Sequence, residues 1–320
     1  MNGERHAPAT GHLLTRASAI AGGVAAACGA LVRWRPAQAA TTLDVAYAGS
    51  MGSLMEGPVK RAVAKRLGVE FHGRGQGANA LANLIIGGSV RPDVFISVTP
   101  GPAERVLRAG KAAVATPVAR TEMVIAYSPK SAFAPTLDGA RRGEPGAAPW
   151  WRTLEQPGVR FGRTDPETDP QGRNVIFMME LASRFYGRPE LTRRILGPTV
   201  NPQQIFPEAA VMERLQAGSL DASSAYKVQP APFGLPYVTL PAEINLGDDR
   251  QSTRYRTVSL ALGQKVYRPE PLVYYVAVLK DAPHRQEAAA FARWLLEAEA
   301  QDIFRSFAYD APGHAASLHA

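Results

Sequence analysis

A chain of 320 residues, 46% hydrophobic and 20% charged, can bury one large core or two ordinary ones, and two lobes are expected. Its formal charge of +8 falls to +5 once residues 1–39 are set aside, since these carry Arg5, Arg16, Arg33 and Arg35 against Glu4. The basic residues are scattered, with no run of five, which argues against a nucleic-acid partner and leaves a mild positive field that helps to draw in anions.

In chain order, the apolar Ala/Gly-rich run from Ala17 to Val32 follows Arg16, and Ala37-Gln38-Ala39 supplies a small-x-small cleavage site. This predicts a secretory signal over 1–39. A membrane anchor is the second choice, because the run is short and Arg33 and Arg35 interrupt it. Cys28, the single cysteine, follows Ala25-Ala26-Ala27 and weakly resembles a lipoprotein cleavage box, so lipid attachment there is a further expectation. From Asp44 to about Ser128, short apolar strands alternate with helical stretches, the rhythm of a parallel sheet. Twice a strand enters a small-residue loop that opens a helix: Leu43–Tyr47 into Ala48-Gly49-Ser50, and Val69–Phe71 into the run from Gly73 to Asn79. Such loops leave backbone N–H groups at the positive end of a helix, where anions are held. Residues 131–157, rich in Pro and Gly, read as irregular, with Trp150, Trp151 and Leu154 covering apolar surface. A second α/β unit follows: the strand Val159–Gly162, helices from about Gly172 to Tyr186 and Pro207 to Ala217, and a strand from Ala222 to Tyr226. A strand from Leu272 to Leu279 precedes one amphipathic helix from about His284 to Phe304, and residues 309–320 look frayed.

The candidate motifs for catalysis are weak. Gly73-x-Gly75-x-x-Ala78 with Asp93 imitates a dinucleotide fingerprint, but Asp93 precedes its strand and would sit at the wrong end to meet a ribose. Ala48-Gly49-Ser50-Met51-Gly52 approaches a nucleophile elbow, yet residue 48 is alanine. Of six histidines, His6 and His12 fall in the signal and His314 and His319 in the tail, which leaves His72 and His284, and no pair has metal-ligand spacing. Ser50 then reads either as a helix N-cap or as a hydroxyl offered to an anion. Asp169-Pro170 has the form of a cap followed by a first-turn proline, and with Pro207-Glu208-Ala209 it supplies two more helix starts. Asp165, Asp169 and Glu208 place acids near the expected anion, a tension unless their carboxylates turn away or bind a metal centre directly.

At these residues the chain resembles the extracytoplasmic molybdate/tungstate-binding proteins of ABC transporters, from about Leu43 to Phe304. The motifs in order are Ala48-Gly49-Ser50, the glycine-rich loop ending Ala80-Leu81-Ala82-Asn83, the strands 92–97 and 122–127, Asp165-Pro166 with Asp169-Pro170-x-Gly172, Gly218-x-Leu220-Asp221 with Tyr226, and 240–246. The resemblance implies an α/β, two-lobed, type II periplasmic-binding-protein fold, each lobe a mixed sheet flanked by helices with a ligand cleft between them. Lobe 1 would take 40–125 and 240–320 and lobe 2 would take 126–239, with crossings near Val124–Tyr127 and Val238–Leu240. It further implies that a tetrahedral molybdate or tungstate is held by Ser50, by Ala78 or Asn79, by backbone N–H groups at Gln171 and at Glu208 or Ala209, and by Tyr226, with Asp169 as an additional ligand. Two departures stand out. Ala78-Asn79 replaces the serine common in the second loop, and Ala225 replaces the glutamate that precedes the tyrosine in the archaeal branch, which favours hydrogen bonding over six-coordination. No enzyme activity and no cofactor are expected, only a transported ligand, a membrane permease as partner and a monomer. The rivals are a binder of sulfate or an organic acid and, from another class, a secreted hydrolase using Ser50.

Overall fold

In the computed structural model, which describes residues 41–320, two sheets are built from one continuous chain. The expected signal and Cys28 lie outside the described residues. Strand β1 (Thr42–Ala48) pairs in parallel with β2 (Glu70–Gln76) on one side and β3 (Val94–Ser97) on the other. β4 (Val114–Arg120), β11 (Val273–Val278) and the short β12 (Leu318–His319) extend this sheet antiparallel, giving the order β12-β4-β11-β3-β1-β2. β3 is buried throughout and β11 nearly so, as a central strand covered on both faces must be, whereas edge strand β2 buries only Phe71. The second sheet, ordered β6-β7-β5-β8, comprises β5 (Met123–Tyr127), β6 (Phe161–Gly162), β7 (Ala222–Tyr226) and β8 (Tyr237–Thr239). A separate hairpin joins β9 (Leu260–Leu262) to β10 (Lys265–Tyr267).

The chain leaves the first sheet at Thr121–Glu122, ahead of the crossing expected near Val124–Tyr127, because all of β5 pairs with β7 and β8 in the second. The return runs beside it. The Met123 N–H donates to the Asn245 carbonyl at 2.7 Å, Asn245 Nδ2 donates to Glu122 Oε2 at 2.8 Å, and the Thr121 N–H donates to the Leu272 carbonyl. A Cβ on Gly247 would lie 2.6 Å from Glu122 Cβ, so the two crossings approach too closely for any side chain there. The stretch after this return does not stay with the first sheet alone. β9 packs on the helix Pro170–Phe185, Arg184 Nη1 donates to the Thr257 carbonyl at 2.9 Å, and the Arg173 guanidinium stacks 4.6 Å over the Tyr267 ring.

Four local expectations need correcting. Gly73 to Gln76 belong to β2 rather than a loop. Cβ atoms on Gly73 and Gly75 would lie 2.9 and 2.8 Å from the Tyr47 ring, which covers the strand and donates to Glu56 Oε1 at 2.7 Å. Residues 131–157 contain the helices Ala134–Arg142 and Trp150–Leu154, with both tryptophans buried as expected. The expected helix 284–304 is two, Arg285–Trp294 and Ala298–Ser306, because Glu297 is extended and Gln301 Nε2 ties the Leu295 and Val118 carbonyls. The supposedly frayed tail pairs as β12, and Tyr309 is only 2% exposed.

Candidate functional site

The first wall of the site forms where β1 ends. Its last residues run straight into a 3-10 turn, Gly49–Met51, whose N-cap is Ala48, so Ser50 is not the cap that a helix start at this point would make it. The Ser50 hydroxyl instead lies 3.0 Å from the Tyr274 hydroxyl on β11, and Tyr309 Oη donates to the Ser50 carbonyl at 3.3 Å. The Tyr274 and Tyr309 ring centroids are 5.3 Å apart, and burial raises both phenols above their usual range. Both tyrosines come from the C-terminal part of the chain and went unrecognised in the sequence. A buried tyrosine must find a partner for its hydroxyl, but which partner is a matter of tertiary pairing.

The second wall comes from two helix starts and a strand end. Asp169 caps the helix Pro170–Phe185, its Oδ1 accepting from the Gln171 N–H at 2.8 Å, so the N–H expected to meet a ligand serves the cap. The helix Glu208–Ala217 begins after Pro207, and the Ala210 N–H donates to the Pro207 carbonyl at 2.9 Å, with Glu208 as the first residue of the first turn. At the end of β7, Tyr226 Oη accepts from Asn174 Nδ2 at 2.9 Å. Gln229 closes the group. Its Nε2 donates to Gln171 Oε1 at 2.8 Å and to Glu208 Oε1 at 2.7 Å, and its Oε1 accepts from the Tyr226 N–H at 2.8 Å.

Between the walls lies a cavity of about 320 Å³ lined by Gly49, Ser50, Tyr309 and Phe307 from one side and by Glu208, Gln229 and Met212 from the other. Ala78 and Asn79 do not line it, and of the other expected ligands Gln171 and Tyr226 are also not among its lining residues. Ala78 is buried at the start of the helix Ala78–Ile86, and Asn79 is exposed with its Oδ1 accepting from Arg105. Position 225 is also turned away. Ala225 packs in an apolar cluster with Val124, Val211 and Leu215, so no side chain there can reach the site. The carboxyls that line the cavity belong to Glu208 and Glu213, and Asp169 is not among its lining residues. Burial and then the charge of Asp169 still push the Glu208 pKa up to about 7, and burial raises Asp169 likewise. A little outside, Lys227 pairs with Asp310 and stands 3.8 Å from Glu122. Among the described residues, no group of three His, Cys, Asp or Glu could hold a metal ion. His72 contacts Glu70 and Asp44, and His284 contacts Asp93, so neither attends Ser50.

Two α/β lobes linked by adjacent crossings, with a cavity between them, make up the fold of the type II periplasmic binding proteins. The chain matches the bacterial extracellular solute-binding protein family over residues 43–310 and belongs to it. It is 32% identical over 209 residues to the molybdate/tungstate-binding protein WtpA of Pyrococcus abyssi, a match to 58% of this chain and 59% of that protein. A Haloferax volcanii protein named for molybdenum binding in an ABC transporter is 30% identical over 278 residues, 87% of this chain and 82% of its own. The chain thus spans about three fifths of the WtpA relative. In fold it is similar to the periplasmic molybdate-binding protein of Azotobacter vinelandii, with a TM-score of 0.59 at 17% identity over 84% of this chain and 99% of that one. Among the described residues, no helix is long and apolar enough to cross a membrane.

Proposed function

We propose that this protein is secreted, captures molybdate or tungstate between its lobes as a monomer, and delivers it to a membrane permease. The observation that carries this reading is the cavity itself: hydroxyls from one lobe face a helix start and a cross-linking amide from the other, in a chain similar to relatives named for these oxyanions. Ser50, Tyr226 and the first-turn N–H groups of Glu208 and Ala209 would donate to the anion, with Gln171 joining them once the Asp169 cap yields. A dianion that accepts several charge-assisted hydrogen bonds gains roughly 1.5–3 kcal/mol from each, enough to offset the cost of association and leave tight binding. Ser50 serves here as a ligand rather than a nucleophile, since its side-chain partner is a phenol and not a base. Closure is a hinge motion about the paired crossings.

The test is calorimetric titration and thermal shift with molybdate, tungstate, sulfate and phosphate side by side. At a thousandfold excess over Kd, the true ligand adds about 4 kcal/mol of apparent stability. Stabilisation by molybdate or tungstate alone supports the reading. Stabilisation by phosphate alone would instead assign the Asp169 and Glu208 carboxyls the job of accepting a ligand proton, and the molybdate assignment would fall.

A further inference from the structure

Gln229 has both hydrogens of its amide nitrogen and its amide oxygen engaged within the second wall. The Tyr226 N–H is purely a donor, so the end of the amide that faces it at 2.8 Å must be oxygen. The nitrogen then faces Gln171 Oε1 and Glu208 Oε1, and its two hydrogens match those two acceptors. Although Gln229 lines the cavity, it keeps no N–H to offer a ligand. What it does instead is join three pieces of chain: the first turns of two separate helices and the end of β7. Tying down Gln171 Oε1 also fixes which end of that amide is left to a ligand, namely its two N–H hydrogens.

We propose that Gln229 is a positioning residue that holds the two second-lobe helix starts and Tyr226 in register around the anion, and that the spacing it sets discriminates larger tetrahedral oxyanions from smaller ones. The inference rests on the anion-binding reading above. Without this amide, the carboxyl of Glu208 and the Gln171 amide oxygen would face one another with no donor between them, and each helix start would be free to shift on its own.

The test titrates molybdate, tungstate and sulfate into the wild type, Gln229→Leu, Gln229→Glu and the double variant Gln229→Glu/Glu208→Gln. Gln229→Leu should weaken molybdate and tungstate at least tenfold and narrow their preference over sulfate. Gln229→Glu should be as weak or weaker, because it sets two carboxylates against each other. The double variant restores one donor–acceptor pair with the positions exchanged, and should recover at least tenfold over Gln229→Glu alone. Affinities within twofold of the wild type in Gln229→Leu, or no recovery on exchange, overturn the proposal. Should the wild type bind none of the three anions, the functional reading fails separately, and amide exchange in the ligand-free protein decides the positioning role. The Tyr226 N–H should exchange at least tenfold faster in Gln229→Leu, and an unchanged rate overturns it.

Discussion

The Glu208 carboxyl titrates near 7 because burial and the nearby Asp169 both penalise its charged form. Its pKa when folded is therefore above the ordinary 4.5, and the sign of the linkage follows. The stability that goes with the neutral carboxyl is complete below about pH 4.5 and is lost as pH rises towards 7, by about 3 kcal/mol in all. Glu208→Gln is neutral throughout, so in the ligand-free protein it should match the wild type near pH 5 and be more stable by up to about 3 kcal/mol at pH 8. Urea midpoints at the two pH values measure this, and a gap that does not widen would mean the carboxyl is solvated. Tyr226→Phe tests a different balance: it leaves Asn174 Nδ2 without its acceptor and should cost about 1–3 kcal/mol of stability, besides weakening the ligand. What could be read from the sequence is that Ser50, Gln171, Glu208 and Tyr226 sit where a strand ends or a helix begins. Tyr274 and Tyr309 were not, since nothing local marks a tyrosine that meets a serine more than two hundred residues away.

Glycine has two different uses among the elements, and sequence spacing does not separate them. The run Gly73-Arg74-Gly75-Gln76-Gly77 reads as a flexible anion loop, yet none of its three glycines has a positive φ. Gly73 and Gly75 are required because the Tyr47 ring lies across β2, held there by Glu56. Gly75→Ala should thus cost about 1–3 kcal/mol by overpacking, and Tyr47→Leu should relieve much of that cost in the double variant. Denaturation of the two single variants and the pair supplies the coupling; strict additivity would show that the ring moves aside freely. Gly172 is less forgiving. A Cβ there would lie 2.5–2.6 Å from the backbone of Thr164, Asp165 and Pro166, which has no flexible end to give way. Gly172→Ala should cost about 3 kcal/mol and displace the Asp169 cap, read as loss of both stability and binding. The apolar face over 284–304 was visible from its periodicity, but the break at Glu297 was not, because it is set by Gln301 reaching two carbonyls across a bend. The helices Ala134–Arg142 and Trp150–Leu154 were hidden by the Pro and Gly around them.

At the scale of residues 41–320, the division into two sheets could be read from the alternation of strands and helices, whereas the path between them could not. The passage falls at Thr121–Glu122, where hydrogen bonds to Asn245 and Leu272 knit the outgoing and returning chains together, and the C-terminal Asp310 exchanges backbone bonds with Arg120 beside them. Lys227, just past the end of β7, pairs with Asp310 and approaches Glu122, so one cation joins the second lobe to the first near the pivot. Burial raises the Glu122 pKa, and Lys227 and then Arg120 lower it, so removing the lysine takes away the larger counter-charge and leaves a half-buried carboxyl with Arg120 alone. Lys227→Met should therefore release the lobes as well as weaken the fold. The unliganded variant should have a larger radius of gyration by small-angle scattering, and saturating ligand should bring it back to the wild-type value. Its apparent affinity should drop by the fraction of molecules that no longer occupy the closed arrangement, since the ligand must then restore that population at its own expense. If the lysine only supports the local fold, the melting temperature will fall while the radius of gyration and the affinity stay where they are.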